Sequence, residues 1–256
     1  MEFQDFEPVY DAILADFGFG READEAARDL LADLVESVPA SSTDSLESAD
    51  AAASDASAST LTPHDLDFTG ETVAVVGAAP SLDPAAPAID AADSVVAASD
   101  AAAVLREAGV AVDCMVTDLD EEGDIARTLT VEGVPVAVHA HGDNRPALRE
   151  RVPRLSLEAV LPTTQAAPAP PVYNTGGFTD GDRAAFLADH CGAAALVFAG
   201  WDFDDPDVDP MKRRKLDWAE RLLRWLELRR DERFAVLDGR REAVDLSAFP
   251  VEGGRP

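Results

Sequence analysis

The feature that most constrains this chain is a series of short apolar runs, each breaking into small or acidic residues. Residues 72–76, 94–98, 110–116, 134–138 and 194–199 are valine- and alanine-rich and short, which suits strands buried on both faces. Segments with helical spacing lie between them, among them 101–108, 124–129 and 184–190. Strands alternating with helices predict an α/β fold: a Rossmann-like, mostly parallel sheet flanked by helices. Ligands of such sheets bind beyond the carboxyl ends of the strands. The polar motifs of this chain fall at those positions.

Ahead of the sheet, residues 8–17 and 21–38 have helical spacing and read as an N-terminal cap. Residues 39–63 are almost all Ala, Ser, Asp and Thr, and read as a flexible linker because they offer little apolar area to offset chain ordering. The expected organisation is a helical segment 1–38, a linker 39–63 and an α/β catalytic unit 64–256. Within that unit, 155–171 reads as irregular, 233–237 as an edge strand and 253–256 as a disordered tail.

The run ending in Val116-Thr117-Asp118-Leu119-Asp120 carries the sharpest chemical signal. In an extended segment Asp118 and Asp120 share a face, and a divalent cation relieves their repulsion. Mg²⁺ suits such a pair, because it takes one or two carboxylates together with substrate phosphates. A solvated acidic loop is the rival reading. His139, His141 and Asp143 alternate in the same way; a phosphate or substrate site ranks above zinc there, since no further His or Cys cluster supports a metal. Asp143 or Asn144 also suits the start of a helix near Pro146. Gly77 and Ser81 belong to a small-residue turn that fits either a ligand or a tight strand-to-helix connection. Asp100 either caps the following helix or lies beside a nucleotide.

Thr179 and Asp182 have capping-box spacing, while Gly176 and Gly177 suggest close backbone approach to a ligand. Asp180 and Asp182 suit a metal or the donor edge of a heterocycle. Lys212, Arg213 and Lys215 open a long helix, where cations oppose the helix dipole unless phosphates lie nearby or the acidic surface pairs with them.

Asp and Glu number 50 against 21 Lys and Arg, for a net charge of −29. Only Lys212 and Lys215 are lysines. A carboxylate-rich, lysine-poor surface suits concentrated salt, as in a salt-loving microbe. It argues against nonspecific nucleic-acid binding, which needs clustered cations. No basic leader or long apolar segment is evident, so a soluble cytoplasmic protein without a membrane anchor is expected. Cys114 and Cys191 read as buried free thiols.

The runs GAAPSL, VTDLD, HAHGDN, NTGGFTDGDRA, AGWDF and KRRKLDWAERLL, with Asp16-Phe17-Gly18-Phe19, together resemble the archaeal 6-hydroxymethyl-7,8-dihydropterin pyrophosphokinase family. The resemblance spans nearly the whole chain except the linker. It implies a thiamin pyrophosphokinase-like core that transfers diphosphate from ATP to the hydroxymethyl group of 6-hydroxymethyl-7,8-dihydropterin. AMP would be released, in a folate- or methanopterin-type pathway. On this reading Asp118 and Asp120 hold Mg²⁺, with Asp100 or Asp143 assisting. Gly77, Ser81, Asp100, Lys212, Arg213 and Lys215 serve ATP. His139, His141 and Asp143 are the catalytic candidates. Asn144, Gly176, Gly177, Phe178, Asp180, Asp182, Trp201 and Asp202 face the pterin. A glycosyltransferase-like protein using nucleotide sugars and a non-catalytic nucleotide-binding module are the alternatives. A homodimer is the base-rate expectation.

Overall fold

The computed structural model describes residues 1–37, 59–120 and 124–250. The strands are β1 (Thr72–Val76), β2 (Ser94–Ala98), β3 (Cys114–Thr117), β4 (Val136–Ala140), β5 (Val160–Thr164) and β6 (Ala195–Ala199). They form one six-stranded sheet of order β5-β4-β3-β2-β1-β6, parallel throughout. The helices are α1 (Phe3–Phe17), α2 (Arg21–Ser37), α3 (Pro87–Asp90), α4 (Ala101–Glu107), α5 (Ile125–Val131), α6 (Arg145–Arg151), α7 (Asp180–His190) and α8 (Pro210–Arg230).

Side chains alternate along each strand, so the sheet feeds two cores. Val73, Val75, Val96, Cys114, Val116, Ala137 and Leu161 pack under α1, α7 and α8. Ala74, Val76, Val95, Ala97, Met115, Val136 and Val138 pack under α2, α4, α5 and α6. The N-terminal helices therefore serve opposite layers, and residues 18–20 pass between them. Gly18 makes that turn possible, closing α1 in the left-handed conformation at φ 72°. α1 begins before the expected Pro8, because Phe3 and Phe6 are buried with it.

The sheet runs outward from β1 to β5, then returns to β6 on the other side of β1. The switch point lies between β1 and β6, where a crevice is expected. Here the turns after the two strands lock together. Gly77 N–H donates to Ala199 O at 2.9 Å and Ala79 N–H to Gly200 O at 3.1 Å. A Cβ on Gly77 would lie 2.6 Å from Gly200 O, and one on Gly200 would lie 2.3 Å from Gly77 O. Each glycine accommodates the other's backbone.

Several expectations are corrected. Residues 155–171 are not all irregular: they hold β5, an edge strand that tolerates Pro162. β5's outer side receives Leu61 N–H on Val160 O at 2.8 Å and Tyr173 N–H on Pro162 O at 2.9 Å. The end of the expected linker is thus tied to the sheet; residues 39–58 of it lie outside the described residues. Residues 235–237 form a 3₁₀ turn, not an edge strand; its neighbour Phe234 gives its N–H to Glu227 at 2.7 Å. β3 and β4 begin later than expected, and His139 lies inside β4. Residues 253–256 also fall outside the described residues. Cys114 and Cys191 are buried free thiols. Among the described residues no helix is long and apolar enough to cross a membrane.

Candidate active site at the switch point

A cavity of about 650 Å³ opens at the carboxyl ends of the strands. That size suits a small-molecule site. Its wall combines the turn after β1 (Gly77), Asp100 after β2, Asp118 and Asp120 after β3, and His141 and Asp143 after β4. Phe178 and Asp180 at the start of α7, Trp201 and Asp202 after β6, and Lys212 and Lys215 of α8 complete it. Both lysines of the chain thus border one cavity.

Asp118 and Asp120 reach the cavity by a different route from the extended one expected. Leu119 is left-handed at φ 64° and drives its side chain into the core, where it is 1% exposed. Leu119 N–H donates to Thr117 Oγ1 at 2.8 Å, and Asp120 N–H to Asp118 Oδ1 at 3.2 Å. The loop is a tight, self-bonded turn that offers both carboxylates to the same space.

His141 fixes Asp118. Its Nε2 lies 3.0 Å from Asp118 Oδ2, while Nδ1 faces the Asp143 N–H at 3.4 Å. A ring nitrogen facing an N–H must accept, so the proton sits on Nε2 and points at the carboxylate. Burial disfavours the Asp118 charge. The His141 hydrogen bond and the field of Arg183 outweigh it and hold the pKa below the usual carboxylate range. Asp180 goes the other way: burial and then the charge of Asp118 push it up to about 8, although Arg183 donates to its Oδ1 at 2.8 Å. The two carboxyls are therefore driven apart, a pattern common at functional sites.

Several residues expected at the site are not in the cavity wall. Asn144 does not face it, nor does it cap α6 with its side chain. Its Nδ2 donates to His139 O at 2.7 Å and Asp118 O at 2.8 Å, and its Oδ1 accepts from His141 N–H at 3.0 Å. It staples the β3 and β4 turns together. Asp182 is fully buried as the N3 partner of the α7 capping box, accepting from Phe178 N–H and from the Thr179 hydroxyl at 2.6 Å. Gly176 and Gly177 approach Phe186 and the Arg183 backbone, where a Cβ would meet atoms at 2.9 and 2.6 Å, and neither borders the cavity. Arg213 turns to Asp205 O, and Ser81 is exposed away from the cavity. Asp100 borders it but makes no capping hydrogen bond to α4.

His139 also lies elsewhere, 3% exposed within β4. Its Nδ1 is 3.1 Å from Thr163 Oγ1, whose hydroxyl donates to Val138 O at 3.1 Å. The hydroxyl proton is thereby committed, so Nδ1 carries the ring proton and Nε2 a lone pair. His139 borders a separate cavity of about 10 Å³, as does Arg183, and neither His139 Nε2 nor Arg183 Nε has a hydrogen-bond partner among the described residues. Burial, then the field of Arg183, holds the His139 pKa well below its ordinary value. Among the described residues no group of three or more His, Cys, Asp or Glu is placed to hold a metal ion. The Asp118 and Asp120 pair does fit a metal that arrives with phosphate ligands of its own.

The cavity wall also contains Asp24, which the sequence did not single out, and a set of aromatic side chains. Asp24 of α2, 3% exposed, accepts from the Tyr10 hydroxyl at 2.8 Å, Gly142 N–H at 2.7 Å and Gln165 Nε2 at 2.8 Å. Phe19 stacks on Phe17 at 5.2 Å, and Phe17 meets Phe178 at 5.1 Å, which carries an aromatic column to the wall. Trp201 is fixed by its Nε1–H on Val75 O at 3.1 Å.

An open parallel sheet with an acidic and lysine-bearing crevice at its switch point defines an α/β protein built to bind a small charged ligand. Residues 52–208 match the family described as 6-hydroxymethylpterin diphosphokinase MptE-like, and the chain belongs to that family. A relative from Methanothermobacter thermautotrophicus, named 6-hydroxymethyl-7,8-dihydropterin pyrophosphokinase, is 37% identical over 91% of this chain and 98% of its own length. Proteins of the same name from Pyrococcus furiosus and Methanocaldococcus jannaschii are 34% and 27% identical, each over 89% of this chain and 95% and 96% of their own lengths.

Proposed function

We propose that this protein is a 6-hydroxymethyl-7,8-dihydropterin diphosphokinase that takes diphosphate from Mg·ATP and releases AMP. The observation that carries the reading is the meeting of Asp118, Asp120, Lys212 and Lys215 in one switch-point cavity. The names of the relatives supply the substrate class. The carboxylates take the metal and the ammonium groups neutralise the phosphates. The reaction needs an alcohol held in line with the β-phosphorus while charge on the triphosphate is offset, so positioning and electrostatics carry it. His141 orients Asp118. Phe19, Phe178 and Trp201 supply flat apolar surface for the pterin ring. The catalytic unit is residues 64–256, with the cap completing its wall.

The test is incubation of the folded protein with ATP, Mg²⁺ and reduced hydroxymethylpterin in high salt, followed by chromatography. AMP and pterin diphosphate in equal amounts are expected. Their absence, or turnover of a sugar nucleotide instead, refutes the reading.

A further inference from the structure

We infer that Arg183 is the fixed cation of the transfer reaction, and that the N-terminal cap holds it in place through Asp24 and Gln165. The inference rests on the diphosphokinase reading above.

Arg183 sits on the first turn of α7, and its side chain is 7% exposed where it borders the cavity. Its Nη1 donates to Asp180 Oδ1 at 2.8 Å and its Nη2 to Gln165 Oε1 at 3.3 Å. The other end of the Gln165 amide donates to Asp24 Oδ2 at 2.8 Å. This order admits one amide orientation only. A flipped amide would set NH₂ against a guanidinium and oxygen against a carboxylate. Asp24 is itself fixed by Tyr10 of α1 and by Gly142 beside His141. Hydrogen bonds thus run from both cap helices to the guanidinium, and a Cβ on Gly142 would meet Ala23 Cβ at 2.8 Å, so the cap is seated closely there.

These bonds occupy part of a five-donor fork. The remaining wall is rich in carboxylates, including Asp100, Asp118, Asp143 and Asp202. A triphosphate entering such a wall needs positive charge that does not retreat into solvent. Lys212 is exposed on α8, whereas Arg183 is buried, planar and suited to paired phosphate oxygens. In the reaction the alcohol oxygen bonds to the β-phosphorus and the bond from that phosphorus to the α-phosphate oxygen breaks. The electron pair leaves with AMP, and the alcohol proton passes to water. Arg183 offsets the charge that grows on these oxygens. Gln165 and Asp24 are positioning residues that act through it.

Steady-state kinetics of Arg183→Lys, Arg183→Ala, Gln165→Leu and Asp24→Asn test this. Arg183→Lys keeps the charge but not the fork. It is expected to lose about 100-fold in kcat with KM for the pterin nearly unchanged. Arg183→Ala should recover part of its kcat when guanidinium is added, and Gln165→Leu and Asp24→Asn should each lose about tenfold in kcat. A merely structural arginine would give no guanidinium rescue. Should Arg183→Ala fail to fold, Arg183→Lys decides. Wild-type kcat in Arg183→Lys, or folded Arg183→Ala that guanidinium does not rescue, overturns the role of Arg183. A wild-type protein that makes no pterin diphosphate overturns the diphosphokinase reading itself.

Discussion

Replacing Asn144 with Asp exchanges one NH₂ for one oxygen and leaves the shape intact. The Oδ1 bond from His141 N–H, at 3.0 Å, survives. The introduced oxygen faces His139 O and Asp118 O, which lay 2.7 and 2.8 Å from the lost nitrogen. Both are carbonyl acceptors, and the site is 6% exposed. Each buried carbonyl left without its donor costs about 1–3 kcal/mol, so the substitution should destabilise the protein by about 3 kcal/mol or somewhat more. For a chain of this size that is a drop in Tm of roughly 6–12 °C. Urea titration at fixed salt measures it, with an unchanged m-value confirming that the unfolded state is the same. The loss should shrink at acid pH, where the introduced carboxyl regains a proton and one donor. Kinetics at a temperature where both proteins are folded complete the comparison. The same urea midpoint as wild type, combined with a raised KM for the pterin, would show that Asn144 contacts substrate and refute the stapling role.

Asp118→Asn should abolish turnover with little change in urea midpoint, since the amide oxygen still accepts from His141 but the metal loses a charge; a retained kcat would remove Asp118 from the metal site. Lys212→Gln with Lys215→Gln should raise KM for ATP about tenfold or more while leaving KM for the pterin nearly unchanged, with a larger effect at low than at high salt. His139 stays neutral in the fold below its ordinary pKa, whereas the unfolded chain takes up a proton there. Stability is therefore expected to fall as pH drops below about 6.5, by about 1.4 kcal/mol per pH unit. Urea titrations of His139→Gln should lack this component, and an identical acid limb in both proteins would rule it out.

Much of the sheet was legible because β1 and β2 bury both faces and so appear as unbroken apolar runs, and β6, though half-buried at the opposite edge from β5, is apolar throughout. β5 was hidden by Pro162, which reads as a breaker and is tolerated only because the strand lies at an edge. The carboxylate and lysine positions of the cavity followed from strand ends and a helix start. What did not follow was direction. Asn144, Asp182, Gly176 and Gly177 stand beside the cavity in sequence, yet their polar atoms or missing side chains serve neighbouring backbone. Asp24 was invisible for the opposite reason. It lies on an acidic helix among many carboxylates, and its partners Gly142 and Gln165 are 118 and 141 residues away. Arg183 was absorbed into a capping motif, and only the fold shows that its side chain bonds back to Asp180 on the same turn and across to Gln165.

The placement of both lysines has a practical consequence. Every other cationic side chain of the chain, apart from histidine, is a guanidinium, which acylating reagents leave alone near neutral pH. Apart from the α-amine of Met1, which lies against His190 Nδ1 at 2.9 Å, an amine-selective label is therefore directed by composition to the mouth of the crevice. A fluorophore coupled there would sense the arrival and departure of cargo, and protection from coupling would read occupancy directly by mass spectrometry. The scarcity of lysine turns an ordinary bioconjugation reagent into an address tag for one helix face.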